Sequence, residues 1–245
     1  MFEPALYTSP LSPLSVARHA VSRAKEKDIA SSINFIHNYL SFSPDSSFLS
    51  RTLSYLYAQI YDYGNAFDWI NKALLLDPRN SESYSQQGLL YNRLQQLTLA
   101  KLSYTSAIRI NPTSCLANCG LALIYKSNNQ IDLSIQYISR AQAFSPPKES
   151  ISVLLARALI VSNDYYAALA QLNFILSLNL ASYRTYEVLG DLHLSLDNTD
   201  TAQKMFQQAL LQRPQSVRAK VGLARICVRN NLFDEAESII SELNQ

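Results

Sequence analysis

Residues 81–114, SESYSQQGLLYNRLQQLTLAKLSYTSAIRINPTS, decide the fold. Two helical patterns sit inside this stretch. The first runs from about Glu82 to Leu94, with Tyr84, Leu90, Tyr91 and Leu94 at helical rather than strand spacing. Gly88 falls inside it, where glycine costs about 1 kcal/mol against alanine. Close approach of another helix is the usual compensation. The second helix runs from about Thr98 to Ile110, with Ala100, Tyr104, Ala107 and Ile108 marking one face. Asn111-Pro112 stops it, because proline lacks an N–H and disfavours a helical residue before it. Small residues on both helices let them nest, and the tyrosines fill what space remains.

The frame recurs along the chain. Pro44, Pro78, Pro112 and Pro146 are each 34 residues apart, and the next positions hold Leu180 and Pro214. The Gly88 position holds Ser54, Ala122, Ala156, Gly190 and Ala224 in its neighbours, and the Ala100 position holds Ala66, Ser134, Ala168, Ala202 and Ala236. The Ala107 position holds Ala73, Ala141, Ile175 and Ala209. Four positions in phase this long mark an internal repeat.

A helix–turn–helix unit of this period resembles the tetratricopeptide repeat. The likeness is carried by the small–aromatic pairs Gly88/Tyr91, Ser54/Tyr57 and Ala122/Tyr125. The runs Ala100/Tyr104/Ala107 and Ala202/Phe206/Ala209 and the terminal prolines carry the rest. It covers nearly the whole chain, with departures at Leu180, at Ile175 and in a degenerate first copy. The resemblance implies an all-α fold, a right-handed α-solenoid of stacked antiparallel helix pairs. In this frame residues 1–12 are an N-terminal arm, with Phe2, Leu6 and Tyr7 as apolar points. Residues 13–46 are the degenerate copy, with a cationic first helix at about Ser15–Lys25 and a second at about Ile29–Phe42. Regular copies follow at 47–80, 81–114, 115–148, 149–182 and 183–216. Residues 217–245 form a terminal pair, Val217–Arg229 and Phe233–Leu243, whose last helix has Phe233, Ala236, Ile240 and Leu243 on one face. Gly64 is expected at a turn that needs a permissive backbone.

Composition narrows the function. The net charge of +2 argues against a dedicated nucleic-acid or membrane-surface binder. Three cysteines give no disulfide framework, and Cys115 and Cys119 alone make a poor metal pair. The glycines fall at turns and packing positions, so no phosphate loop is available. His19, His37 and His193 are scattered, and His193 stands where another copy has Tyr91, so we read them as packing or interface residues. We therefore expect no enzyme, no cofactor and no metal. The opening MFEPALYTSPLSPL has no basic start and no uninterrupted apolar core, so we expect no signal peptide. No run approaches the roughly 20 apolar residues of a membrane span, and a cytoplasmic protein is expected.

In the family that the chain resembles, first helices line a concave face that binds partner segments. The matching residues here are Arg51 and Tyr55 in one copy, Gln86, Leu89 and Arg93 in the next, then Leu123 and Lys126. They continue with Val153, Leu154 and Arg157, with Arg184, Glu187 and Asp191, and with Arg218, Arg225 and Arg229. The middle of this face is apolar and its end is cationic. Gly222 is expected to keep the arginine stripe open, and pairing with Glu187 and Asp191 is the competing expectation. The Lys/Asn pattern of the family's carboxylate-clamping chaperone adaptors is not met. The reading is a protein-binding adaptor or scaffold that holds a peptide or amphipathic helix, with self-association through its ends as a further possibility. A chaperone for exported or membrane-inserted clients, the regulatory region of a larger enzyme, and an RNA-binding helical repeat are the alternatives.

Overall fold

The computed structural model describes residues 12–25, 28–42 and 44–242. The expected arm, apart from Ser12, and Leu243 of the last helix lie outside them. Among the described residues there are fourteen α-helices and no strand. They divide into two compact units, residues 1–120 and 121–245.

The first unit holds α1 (Pro13–Lys25), α2 (Ile29–Leu40), α3 (Ser47–Gln59), α4 (Tyr63–Leu76), α5 (Ser81–Arg93), α6 (Leu97–Ile110) and the start of α7 (Cys115–Ser127). The second holds the rest of α7, α8 (Ile131–Ala143), α9 (Glu149–Val161), α10 (Tyr165–Ser177), α11 (Tyr183–Ser195), α12 (Thr199–Gln212), α13 (Val217–Arg229) and α14 (Phe233–Ser241). The pairs α1–α2, α3–α4, α5–α6, α9–α10, α11–α12 and α13–α14 pack together along the chain. No helix of the described residues is long and apolar enough to cross a membrane.

Many of the helix ends have a local cause. Ser46, Asn80, Ser182 and Ser216 cap first helices, each accepting a backbone N–H from the first turn. Asp28, Asp62 and Asp164 do the same for second helices. Each such cap is worth about 1 kcal/mol. The first helices α3, α5, α7, α9, α11 and α13 are each followed by a left-handed residue. Tyr61, Gln95, Asn129, Asn163, Asp197 and Asn231 have φ of 62°, 60°, 58°, 61°, 58° and 61°, and they too are spaced at the repeat period. The residue after each donates its N–H five positions back, as Gln96 does to the Tyr91 carbonyl at 2.9 Å and Asp164 to Leu159 at 2.9 Å. These are Schellman endings. The permissive position is therefore Tyr61 and not Gly64, which lies inside α4 without a positive φ.

The same geometry explains Leu180. Before Pro112 and Pro214 the preceding residues, Asn111 and Arg213, are extended. In the copy with Leu180, Asn179 turns left-handed at φ 54° and the Leu180 N–H bonds the Ile175 carbonyl at 3.2 Å. A Schellman cap there replaces the proline stop.

The core alternates small and large residues. Ala66, Ala100, Ser134, Ala168 and Ala202 are all fully buried. Seven residues on from each second-helix opening stands a buried plug: Ile70, Tyr104, Ile138, Leu172 and Phe206. Gly88 and Gly120 press on the two faces of Tyr104, where added Cβ atoms would lie 2.7 and 2.3 Å from the ring. Gly190 and Gly222 clasp Phe206 in the same way, at 2.5 and 2.4 Å. The close approach expected of Gly88 is thus to a ring. Gly222 is buried against Phe206 and does not hold an outward face open. Trp69 packs on the first core with His37, whose ring lies 5.2 Å away.

Candidate functional site

On the first-helix face of the first unit, two of the expected groove residues, Arg51 and Arg93, tie neighbouring copies together. Arg51 reaches Glu82 and the capping Asn80. Burial holds its pKa below the usual arginine value, against the pull of Asp77. Arg93 donates to the Ala58 carbonyl at 2.8 Å, at the C-terminal end of α3, where a cation also meets the helix dipole. Gln86 is buried, a correction to its reading as an outward-facing side chain; its Nε2 has no partner. Leu89 is half-buried and Tyr55 exposed. Arg51, Glu82, Ser85, Gln86 and Asn111 help line a polar cleft of about 430 Å³.

The second unit differs. A cleft of about 550 Å³ is walled by Leu123 of α7, Val153 and Leu154 of α9, and Val217 of α13. Leu123 is 43% exposed and Leu154 half-buried, whereas Val153 is buried at 5% and forms the floor. Glu187 is also buried, again a correction, because it accepts the Ser216 hydroxyl at 2.6 Å and so holds the cap of α13. Glu149 plays a related part, accepting from the backbone and hydroxyl of Ser182 and from Thr185. Burial opposes its ionisation, and the hydrogen bonds outweigh that to lower its pKa. At the lip, Arg184 and Arg213 both donate to the Tyr183 hydroxyl, and Arg213 lies over its ring at 4.8 Å. The Arg184 hydrogen bond, with help from Arg213, lowers the phenol pKa.

Arg157 also lines a second cleft, of about 300 Å³, with Lys126, Ile160, Asp191, Arg218 and Arg225. Its Nη2 stands 3.7 Å from Glu187, and its Nε is buried without a partner. Burial, then the Arg218 charge, lower its pKa; burial, then Arg157 and Arg218, lower that of Lys126. Arg218 grips Asp191 through two nitrogens, at 2.8 and 2.5 Å. Arg229 donates to the Leu194 carbonyl and to Asp197, in the role Arg93 plays in the first unit. The expected arginine stripe is thus divided: Arg218 and Arg229 are paired within the fold, and Arg225 faces the second cleft.

Tyr183, Arg213 and Val217 were not legible as site residues. They sit at helix ends and in the α12–α13 connection, outside the mid-helix positions that a repeat frame marks as outward-facing. Among the described residues no group of three or more His, Cys, Asp or Glu side chains is placed to hold a metal. The three thiols are half-buried.

Two family models, each described as a tetratricopeptide repeat, match residues 81–114 and 193–245. A TPR repeat-containing protein of Methanocaldococcus jannaschii is 24% identical over 89% of this chain and 40% of its own length. Among solved structures, the APC/C hetero-tetramer Cut9–Hcn1 gives a TM-score of 0.78 at 15% identity, covering 89% of this chain and 44% of that one. PilW, a type IV pilus biogenesis factor, gives 0.73 at 17% identity, covering 86% and 98%. The chain spans about a third to two fifths of the length of the first curated relatives it matches.

Proposed function

From the premise that the chain is a tetratricopeptide repeat protein, we propose that it is a non-enzymatic adaptor holding a segment of a partner protein on the first-helix face of its second unit. Proteins of this repeat generally mediate protein–protein interaction. The observation that carries the finer reading is the cleft of about 550 Å³ with Leu123, Val153, Leu154 and Val217 as apolar walls and arginines at its rim. A concave apolar site with a few placed polar groups is what a peptide or helix anchor needs. The relatives support a role in assembly: Cut9 stands in a hetero-tetramer of the APC/C, and PilW is a pilus biogenesis factor.

The test uses Leu123→Glu with Leu154→Glu. Neither side chain is fully buried, so circular dichroism and melting should match wild type. Affinity purification from the native cell should lose a discrete set of proteins in the variant. An unchanged set would move the site elsewhere on the chain, and unfolding of the variant would make these leucines structural.

A further inference from the structure

The two clefts of the second unit carry more positive charge than the whole chain. Six cations line them: Lys126, Arg157, Arg184, Arg213, Arg218 and Arg225. Only Glu187 and Asp191 oppose them, and both are engaged, by Ser216 and by Arg218. The excess of four stands in a chain whose net charge is +2. Lys126 and Arg225 have no carboxylate at ion-pair distance among the described residues. The half-buried Arg157 between the clefts leaves its Nε unpartnered. In the first unit Arg51 and Arg93 are consumed by internal ties. Like charges gathered in partial burial repel one another at a cost that an anionic ligand would offset.

We infer that the segment bound here is acidic, with one apolar side chain of Leu, Ile or Phe size between Asp or Glu residues. This rests on the adaptor reading above. The apolar anchor enters between Leu123, Leu154 and Val217. Carboxylates on one side of it meet Arg184 and Arg213, whose forked N–H groups match carboxylate geometry. Those on the other side meet Lys126 and Arg225 beyond Arg157. The aliphatic walls favour a peptide over a nucleic acid, which would need aromatic platforms for its bases. Tyr183 is the one aromatic ring lining the two clefts.

A library of random 12-residue peptides displayed on phage, panned against the full chain at about 50 mM salt, tests this. Enriched sequences are then synthesised with a fluorophore and titrated by anisotropy. The expected result is Leu, Ile or Phe flanked by Asp or Glu. Affinity should fall at least tenfold in Lys126→Ser with Arg225→Ser, and steeply with salt. It should fall similarly in Leu123→Ser with Leu154→Ser, which removes the anchor walls without adding charge. Enrichment of no peptide, or of peptides without acidic bias, overturns the inference, as does unchanged affinity in the Lys126/Arg225 variant. Neutral peptides that bind and are lost only in the leucine variant would sink the charge assignment and leave the adaptor reading standing. Acidic peptides indifferent to the leucine variant would sink the apolar anchor.

Discussion

The copy that spans 81–114 and the copy that spans 149–182 fill the same interior position with opposite volumes. In the first, Tyr104 lies between Gly88 and Gly120, which leave no room for a side chain. In the second, the plug is Leu172, and the same two frame positions hold Ala156 and Val188. Phe206 repeats the first solution with Gly190 and Gly222. A large plug goes with empty shoulders and a smaller plug with filled ones. The glycine shoulders make room for a ring that larger shoulders would exclude, as close packing requires.

The most damaging way to break this pairing is to delete a ring and leave its glycines. Phe206→Ala should destabilise the second unit by about 3–5 kcal/mol, because rigid helix backbones on both sides cannot close the cavity. Gly222→Val alone should cost about 1–3 kcal/mol through the clash with Phe206. The sharper test transplants the other solution. Gly190→Ala, Phe206→Leu and Gly222→Val together reproduce the Ala156/Leu172/Val188 set. Chemical denaturation should find the triple variant well above the sum of its parts, with a coupling of at least about 1 kcal/mol. Strict additivity would show that these residues are not a packing unit.

Much of this was legible before any coordinates. The period of small residues and prolines placed the two helices of residues 81–114 to within a residue, because the spacing of Gly88, Ala100 and Pro112 is itself the packing constraint. The glycine at 120 was not legible as half of the Tyr104 clasp, since its partner ring belongs to the preceding copy. The candidate site was legible only as a set of faces. Leu123, Leu154 and Lys126 line the clefts. Arg51, Arg93, Glu187 and Arg229 share their frame positions with outward residues, yet hydrogen bonds to caps and carbonyls of the neighbouring copy hold them. A periodicity reports which way a Cβ points. It does not report where a long side chain ends.

A second difference between copies predicts a smaller effect. The left-handed turn residue is Asn at 129, 163 and 231 but Gln at 95 and Tyr at 61. Asparagine tolerates that conformation, whereas other L-residues are strained there by about 1–2 kcal/mol. Gln95→Gly and Tyr61→Gly should therefore raise stability, by about 0.5–1 kcal/mol after the extra entropy of glycine is charged against the relief. Asn129→Ala should do the reverse. A urea midpoint for each variant suffices, and a loss on Gln95→Gly would mean that the side chain makes compensating contacts.

The smallest effect separates His193 from Tyr91 and Tyr125, its counterparts in other copies. His193 is half-buried with Nδ1 lacking a partner, and burial lowers its pKa below the ordinary 6.5. The native state therefore prefers the neutral ring, while the unfolded chain takes up a proton near pH 6.5. Between that value and the lower native pKa the unfolded state binds more protons, so stability falls as pH falls through this window. Below the native pKa the loss is complete and the curve flattens. His37, lowered by burial and by Lys72, contributes with the same sign. His193→Tyr keeps the shape that other copies pack and removes one titrating group, while His37 remains in both proteins and its contribution cancels. The melting temperature of the variant, relative to wild type, should be level above pH 7 and gain as pH is lowered from 7 to 5. Parallel curves over that interval would mean that the imidazolium is solvated in the folded state, and that the histidine at this position is as wet as it would be in the unfolded chain.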